Sequence, residues 1–407
     1  TTPETATKAH PAKIKGVTFA AGQDMFDIAQ KEVDALKAEK CDYIVCLGHL
    51  GIDDESEGNR SFDLLEKVEG IDVFIDGHSH STLEEVKEAT DGLQLKTSLT
   101  STGTKLANIG VVTIAPDGKI SLENVATEGL EEDSAIAKRA AEIQKQIDDD
   151  YGAAFAKTET VLNGEKDPGN RTEETNLGDL ITDALVWGAE KNGESVDAAI
   201  TNGGGIRAPI NEGDITKKDV NTVLPFGNTL SIVKVTGAEL LEALEASTFS
   251  TPTAVGGFPQ VSGITFKINA NAAFDEGDLY PGSTYHKPAS IKRVTIETVG
   301  GEPFDEKATY AIATNDFMAA GGDTYYAFSA ASVNYDLGIP MDEVLMDYIK
   351  DELKGVVTAD AYGEPAGRIT IDKAAEAPAP EPAPAPEPAP APEPAPAPEP
   401  EPAPEPA

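Results

Sequence analysis

Short apolar runs alternate with amphipathic segments near the start of the chain, and this alternation limits the folds open to it. Residues 26–40 carry apolar side chains at helical spacing, whereas 43–47 and 71–75 are apolar runs of strand length. A short helix is predicted between these two strands, over residues 62–68. Buried strands that alternate with helices form a sheet covered on its faces, so the sequence predicts an α/β fold.

The rest of the chain extends this pattern and suggests its division into domains. Residues 134–150 are charged and amphipathic, which predicts a helix that links two domains. We divide the chain into a first domain (1–132), a linker helix (133–155), a second α/β domain (156–372) and a tail (373–407). Further strands are predicted at 93–98, 108–114, 120–125, 198–201, 230–235, 264–268, 291–298 and 310–314, and further helices at 176–188, 237–247 and 341–352.

The tail has a composition that prevents regular secondary structure. Residues 374–407 consist almost wholly of alanine, proline and glutamate. Proline at nearly every second position removes backbone donors and fixes φ, so neither a helix nor a sheet can form. We therefore expect a disordered, extended and polyproline-like segment that its glutamates keep soluble.

The net charge restricts the partners of the protein. With 32 Lys and Arg residues against 71 Asp and Glu, the formal net charge is −39. A nucleic-acid polymer requires a basic face, so this class of partner is excluded, whereas a single nucleotide needs only a few local cations. No apolar run approaches the length of about 20 residues that a transmembrane helix needs.

Three consecutive glycines follow a predicted strand and precede an arginine, in the segment 202–207. Glycine lets backbone N–H groups approach an anion closely, and Arg207 adds a charged planar fork that suits phosphate or carboxylate. The segment predicts a small anion-binding cradle at the end of a strand. The alternative is a tight glycine turn followed by a surface arginine.

Three of the five histidines, His49, His78 and His80, follow predicted parallel strands in glycine-rich loops. Ligands of open α/β sheets bind at the carboxyl ends of strands, and imidazole is a common ligand of transition metals. The pattern predicts a metal site, although each histidine could instead be an ordinary surface residue. Asp76 could orient the site from behind, whereas Asp53 is better explained as part of a solvated acidic loop.

These motifs resemble those of a known family. Segments 48–51 and 77–80 resemble the second half of a calcineurin-like metallophosphoesterase domain, and segment 202–207 resembles the C-terminal domain of the 5'-nucleotidase family. That family includes ecto-5'-nucleotidases and bacterial UDP-sugar hydrolases. The resemblance covers residues 1–372 and implies a partial calcineurin-like α/β sandwich followed by an α/β 5'-nucleotidase C-terminal domain.

The resemblance also implies ligands and substrate contacts. Two divalent ions, zinc, manganese or similar, are implied, with His49 and His78 as ligands and His80 at or near a third ligand position. A nucleotide is implied in the second domain, where two arginines bind phosphate, two phenylalanines stack on the base, and an aspartate binds the ribose hydroxyls. These residues are Arg171 and Arg207, Phe226 and Phe317, and Asp323, with Asn202 and Asn228 as further contacts. The alternative for both phenylalanines is ordinary core packing.

The chain also departs from the family pattern. No Gly-Asn-His motif occurs, and the one Asp-x-His is 76–78, which already belongs to the later motif. We therefore expect residue 1 to fall midway through the catalytic domain, so that this chain lacks half of the dimetal site, has no assignable catalytic residue and is inactive alone.

The activity expected of the whole protein is metal-dependent hydrolysis of nucleoside 5'-phosphates, with UDP-sugars as further candidates. We expect it outside the cell, attached to the surface or cell wall through its tail. The alternatives are a 2',3'-cyclic-nucleotide phosphodiesterase or 3'-nucleotidase, a nucleoside-binding surface module without turnover, and a purely structural wall protein.

Overall fold

The computed structural model of the chain describes residues 1–9 and 13–373. The predicted tail beyond residue 373, together with His10, lies outside the described residues. The fold is α/β, as predicted, and residues 1–373 form one compact unit. No helix within the described ranges combines the length and the apolar character that crossing a membrane requires.

The described residues form 12 α-helices and 19 strands. The helices are α1 Thr5–Lys8, α2 Gly22–Ala38, α3 Ser61–Leu65, α4 Leu83–Ala89, α5 Ser134–Tyr151, α6 Asn176–Lys191, α7 Lys217–Val223, α8 Gly237–Ser247, α9 Asp316–Ala319, α10 Tyr326–Ser329, α11 Met341–Asp347 and α12 Ala359–Tyr362. The strands are β1 Val45–Leu47, β2 Val73–Ile75, β3 Ser98–Thr100, β4 Asn108–Ile114, β5 Ile120–Ala126, β6 Ala154–Thr158, β7 Ala198–Asn202, β8 Gly213–Thr216, β9 Thr229–Thr236, β10 Pro259–Ser262, β11 Ile264–Asn269, β12 Glu276–Leu279, β13 His286–Pro288, β14 Val294–Val299, β15 Glu302–Pro303, β16 Thr309–Asn315, β17 Val333–Pro340, β18 Val356–Val357 and β19 Ile369–Asp372.

A three-stranded parallel sheet, in the order β1-β2-β3, organises the first part of the chain. Helix α2 covers it with the buried side chains of Phe26 and Val33. The predicted strand 93–98 is wrong in extent, because β3 begins only at Ser98. The side chains of Leu93 and Leu95 pack against the core from a loop, so their apolar character reflects packing and not strand pairing.

A β-hairpin and a long helix connect this sheet to the second part. Strands β4 and β5 pair in antiparallel fashion around Asp117-Gly118, where Gly118 has the left-handed φ of +84° that this turn requires, so the predicted hairpin is confirmed. Helix α5 begins where the Asp133 carboxylate accepts hydrogen bonds from two backbone amides. It buries none of its side chains.

The second part is built on a five-stranded mixed sheet in the order β10-β7-β16-β9-β17. Successive side chains of β7 enter different cores, because neighbouring residues of a strand point to opposite faces. Ala199 packs against α6 and α11, whereas Ala198 and Ile200 pack against α8 and the four-stranded sheet β15-β14-β11-β19. The sheet is thus covered on both faces, so a ligand can reach it only at the ends of its strands or at its outer strands.

The last strand is held in place by buried charged groups. The Glu174 carboxylate accepts hydrogen bonds at 2.9 and 2.8 Å from the backbone amides of Arg368 and Ile369, at the start of β19. The Arg368 guanidinium lies 2.8 Å from an Asp183 oxygen and 3.4 Å from an Asp179 oxygen. This cluster attaches the start of β19 to helix α6 and to the turn that precedes it.

Candidate functional site

Three asparagines meet at one edge of the five-stranded sheet. Strands β7 and β16 are parallel, so Asn202 and Asn315 both lie at the carboxyl end of this pair. Strand β9 is antiparallel to β16 and pairs Leu230 with Asn315, which brings the nearby residue Asn228 to the same edge. Carboxyl ends of parallel strands are the usual ligand sites of α/β sheets, and this edge is the candidate site.

The glycine turn 203–205 allows close backbone approach and does not form the predicted cradle of amides. A Cβ atom on Gly203 would lie 1.9 Å from the carbonyl oxygen of Asn170. The Gly203 and Gly204 amides donate to the carbonyls of Phe258 and Gly256, both at 2.8 Å. Because these two N–H groups are already bonded, the prediction that they bind an anion is wrong. The glycines are needed because backbone segments touch here.

A relay of side-chain amides runs along the edge to a buried carboxylate. The backbone N–H of Met318 donates to Oδ1 of Asn315, whose Nδ2 donates to Oδ1 of Asn202 at 3.0 Å. The Nδ2 of Asn202 donates in turn to Oδ2 of Asp323 at 2.9 Å. Burial raises the pKa of Asp323 to about 6, against the opposing effect of the nearby Lys8 charge. The relay fixes the orientation of each amide and ties the buried Asp323 to the end of strand β7.

The two predicted phosphate-binding arginines lie close enough to repel each other. Arg171 follows a buried turn that the Gln260 side chain clamps through the carbonyl of Asn170. Burial, together with the positive charge of Arg171, lowers the pKa of Arg207, which nevertheless stays protonated. Within the described residues, neither guanidinium forms an ion pair. The Arg171 side chain is half-buried and that of Arg207 is exposed, and the charge of Arg171 also acts on the nearby carboxyls of Glu55 and Asp323.

The two predicted stacking rings lie in different surroundings. The Phe226 side chain is 59% exposed, and its ring centroid lies 5.7 Å from the Arg207 guanidinium. It borders a small pocket lined by Thr201, Gly205, Leu224, Phe226, Asn228, Asn315, Met341 and Asp342. The Phe317 ring packs partly against the core and does not line that pocket. A Cβ atom on Gly322 would lie 2.4 Å from it, so this glycine gives the ring its space.

The three predicted metal-binding histidines form a pair and a separate residue. His49 and His78 meet edge to face, with ring centroids 5.1 Å apart. Burial, followed by the Lys8 and His49 charges, lowers the pKa of His78 to about 4, so its imidazole is neutral at pH 7. Partial burial and the charges of Arg207, Lys166 and Arg171 lower the pKa of His80. The exposed His80 thus lies within electrostatic range of both arginines.

The histidine pair alone does not make a metal site. Both carboxylate oxygens of Asp76 accept backbone hydrogen bonds, from Leu50 at 2.9 Å and Gly51 at 3.0 Å, so this residue shapes the His49 loop. Asp53 pairs with Lys166 at 3.1 Å. Over residues 1–9 and 13–373, no group of three or more His, Cys, Asp or Glu side chains is arranged to hold a metal ion. Two imidazoles fall short of the four ligands usual for zinc, so the described residues do not complete the implied site.

Sequence reasoning missed the groups that join the first part to the sheet edge. The Lys8 ammonium lies 2.8 Å from Oε1 of Glu55, which also accepts a hydrogen bond from the Tyr285 hydroxyl at 2.7 Å. The backbone N–H of Asp323 donates to the carbonyl of Thr7 at 2.9 Å. No local pattern marks these contacts, because the partners are far apart in the chain. Asn315 could have been found, since it caps α9 directly after a strand.

Known proteins resemble this chain over most of its length. A family model described as the 5'-nucleotidase C-terminal domain matches residues 154–330. The "trifunctional nucleotide phosphoesterase protein YfkN" of Bacillus subtilis (strain 168) is 33% identical over 361 residues, which are 86% of this chain and 23% of that protein. The "cell wall protein Lmo0130" of Listeria monocytogenes is 29% identical over 322 residues, which are 74% of this chain and 38% of that protein.

A solved structure supports the same relationship. The crystal structure of a 5'-nucleotidase precursor from Thermus thermophilus is 28% identical and superposes with a TM-score of 0.68, over 91% of this chain and 71% of that one. The matched part of this chain thus spans less than two fifths of each of the two curated relatives described above.

Proposed function

Residues 154–330 belong to the 5'-nucleotidase C-terminal domain family, and from this we propose a function. We propose that the chain is the nucleotide-binding part of a phosphoesterase that releases phosphate from nucleoside 5'-phosphates. The observation that carries this proposal is that Arg171 and Arg207 both adjoin the glycine turn 203–205, close enough for the charge of one to act on the other. Similarity to a protein named as a nucleotide phosphoesterase, and to a structure titled as a 5'-nucleotidase precursor, supports it.

The two arginines suit a phosphate for an electrostatic reason. Two like charges held close together repel each other unless an anion lies between them. A phosphate group would offset both charges and accept paired hydrogen bonds from each planar guanidinium. His80 lies close to these cations and adds a nitrogen to the same surface.

The neighbouring groups suit the nucleoside. The exposed ring of Phe226 offers an aromatic face on which a base can stack, worth about 1–3 kcal/mol. We assign the ribose to Asp323, since a carboxylate can accept hydrogen bonds from both hydroxyls of a cis-diol. The remaining assignments, Asn202 and Asn228 as polar contacts and Phe317 as a second ring, belong to the same proposal.

Calorimetric titration with AMP and with adenosine tests the phosphate assignment. We expect Arg207→Met to weaken AMP binding by about 30-fold, because a charge-assisted bidentate contact is lost, and to change adenosine binding by less than about threefold. Arg139→Met on the exposed helix α5 removes the same charge elsewhere and is the matched control. Equal losses for both ligands, or none, would contradict the phosphate assignment.

Turnover is a separate question with its own assay. Phosphate release from AMP would be measured with added Mn²⁺ or Zn²⁺ and again after chelation, because we propose that the activity depends on divalent ions. The assay includes 2',3'-cyclic AMP and UDP-glucose, since the Bacillus relative is named trifunctional. Nucleotide binding without release of phosphate would favour the second candidate, a nucleoside-binding module, which is consistent with the incomplete set of metal ligands in the described residues.

We also propose an extracellular location at the cell wall, which the name of the Listeria relative supports. The location is tested by fractionation of the producing cells, followed by immunodetection in wall, membrane and cytoplasmic extracts. Recovery in the cytoplasmic extract would contradict this part of the proposal.

A further inference from the structure

The pocket beside Phe226 is lined in part by the polar side chains of Asn228, Asn315 and Asp342. The amide NH₂ groups of this lining already donate hydrogen bonds to protein atoms, whereas some of its oxygen atoms accept none from the described residues. We propose that this pocket recognises nucleobases that carry an exocyclic amino group, and that Asp342 is the residue that sets this preference. The inference rests on the proposed nucleotide site and deepens it by naming the class of base.

The orientation of Asn228 is fixed by a carboxylate. Its Nδ2 lies 2.7 Å from Oδ1 of Asp316, and an ionised carboxylate can only accept, so the NH₂ group of Asn228 must face it. Among the described residues, the carbonyl oxygen Oδ1 of Asn228 has no hydrogen-bond partner, so it remains as the free polar atom of this side chain. What Asn228 offers to a ligand in the pocket is an acceptor.

The orientation of Asn315 is fixed from the other end of the same edge. The backbone N–H of Met318 can only donate, so it must face Oδ1 of Asn315. The NH₂ group of Asn315 is then shared between Oγ1 of Thr201 at 3.2 Å and Oδ1 of Asn202 at 3.0 Å. Hence both asparagine NH₂ groups of the pocket lining already donate to protein atoms.

Asp342 adds a charged acceptor to the same wall. The backbone N–H of Met341 donates to the carbonyl of Asn228 at 2.9 Å, which places Asp342 beside Asn228. One carboxylate oxygen, Oδ2, accepts from Nδ2 of Asn221 at 2.6 Å. The other oxygen has no hydrogen-bond partner among the described residues, and the side chain is half-buried in the pocket lining.

This imbalance decides which bases fit. A wall with two free acceptors and no free amide NH₂ gains hydrogen bonds from an amino group, such as that of adenine or cytosine, and repels a carbonyl oxygen in the same place. A base without the amino group displaces water from these acceptors and leaves them without a hydrogen-bond donor, which costs free energy. A site built to bind an NH₂ group therefore binds a base that lacks it much more weakly. The class of ligand recognised is therefore a nucleoside whose base bears an amino group.

Adenosine and purine riboside differ only in the amino group, so their affinities, measured by calorimetry on the whole chain, test the inference. We expect adenosine to bind the wild-type protein at least about tenfold more tightly than purine riboside. Equal affinities would overturn the inference without any variant being made. If neither nucleoside binds, the inference and the proposed nucleotide site both fail, whereas equal binding of the two refutes the inference alone.

Asp342→Asn sharpens the test, because Asn221 would keep the oxygen of the introduced amide and turn its NH₂ group towards the pocket. We expect the preference for adenosine over purine riboside to fall below about threefold, and inosine, with a carbonyl in place of the amino group, to gain affinity. Glu343→Gln removes the same charge from the neighbouring exposed residue and should keep the wild-type preference. A preference that survives Asp342→Asn in a protein with a wild-type circular dichroism spectrum would overturn the role of Asp342.

Discussion

Replacing Lys8 with methionine tests whether the buried pair with Glu55 attaches the first helix to the rest of the fold. The ammonium and the carboxylate are 2.8 Å apart, and their side chains are only 21% and 6% exposed. Breaking a buried ion pair by removing one partner costs about 3–5 kcal/mol, because the other charge is left desolvated. Since Lys8 keeps some contact with water, we expect the lower end of this range, about 3 kcal/mol.

Two further variants separate the pair from simple loss of packing. The double variant Lys8→Met with Glu55→Gln removes both charges of this pair, so it should be more stable than Lys8→Met alone, with a coupling free energy of about 2 kcal/mol. Lys119→Met is the control, because this exposed lysine forms no ion pair with the described residues. Its effect should stay within about 0.5 kcal/mol.

The pH dependence gives an independent check. Burial alone would raise the pKa of Glu55, but the charge of Lys8 and the hydrogen bonds from Lys8 and Tyr285 together lower it. A carboxylate with a lowered pKa in the folded state stabilises the protein above its unfolded pKa of about 4.3, and this contribution is lost as the pH falls through the folded value. The difference in stability between wild type and Lys8→Met should therefore shrink below about pH 4.3.

Urea unfolding, followed by far-UV circular dichroism and by the fluorescence of Trp187, measures these free energies. Coincident transitions from the two probes would justify a two-state treatment. A cost of less than about 1 kcal/mol for Lys8→Met at pH 7, or simple additivity in the double variant, would show that the pair does not stabilise the fold.

Three further outcomes are expected. Gly203→Ala should destabilise the protein by on the order of 4 kcal/mol in urea unfolding, because its Cβ would lie 1.9 Å from the Asn170 carbonyl oxygen; a loss below about 1 kcal/mol would show that the backbone yields. Adenosine affinity should fall about tenfold from pH 7.5 to pH 5, since the pKa of Asp323 is about 6 and only its charged form accepts from both ribose hydroxyls; a flat calorimetric profile would remove Asp323 from the ribose site. Gly322→Ala should weaken adenosine binding several-fold if the displaced Phe317 ring stacks on the base, and unchanged affinity would leave that ring a core residue.

Much of the fold could be predicted because its signals are local. The hairpin at Asp117-Gly118 follows from turn chemistry, and helix α8 begins and ends at the predicted residues, 237 and 247. The apolar residues in 93–97 do not distinguish a strand from a buried loop, because both have the same composition. Strand β17 was missed, since its exposed residues alternate with half-buried ones and lack a continuous apolar run.

The site could be predicted only in its parts. The resemblance placed seven substrate contacts in the second domain, but it did not show that Phe317 packs apart from the Phe226 pocket. It gave no sign that His80 lies apart from the pair of His49 and His78 and within electrostatic range of the arginines, because two residues in one loop can diverge where both adopt left-handed backbone angles, as His78 and His80 do. The hydrogen-bond saturation of the Gly203 amide was equally invisible, since its partner is 55 residues away, at Phe258.

Strand β19 also has a mechanical consequence. It lies parallel to β11 over four paired positions, from Ile369 to Asp372, and the chain leaves it at Lys373. Tension applied to the chain beyond this point and directed along the strand loads these hydrogen bonds together in shear, whereas a sideways pull would peel them one at a time. The Glu174 carboxylate also holds the first residue of the strand, because it accepts a hydrogen bond from the backbone N–H of Ile369. Unfolding under force is governed by the unfolding rate. The rate at which the edge strand β19 detaches should therefore set how long the folded part withstands a pull on its C-terminal side.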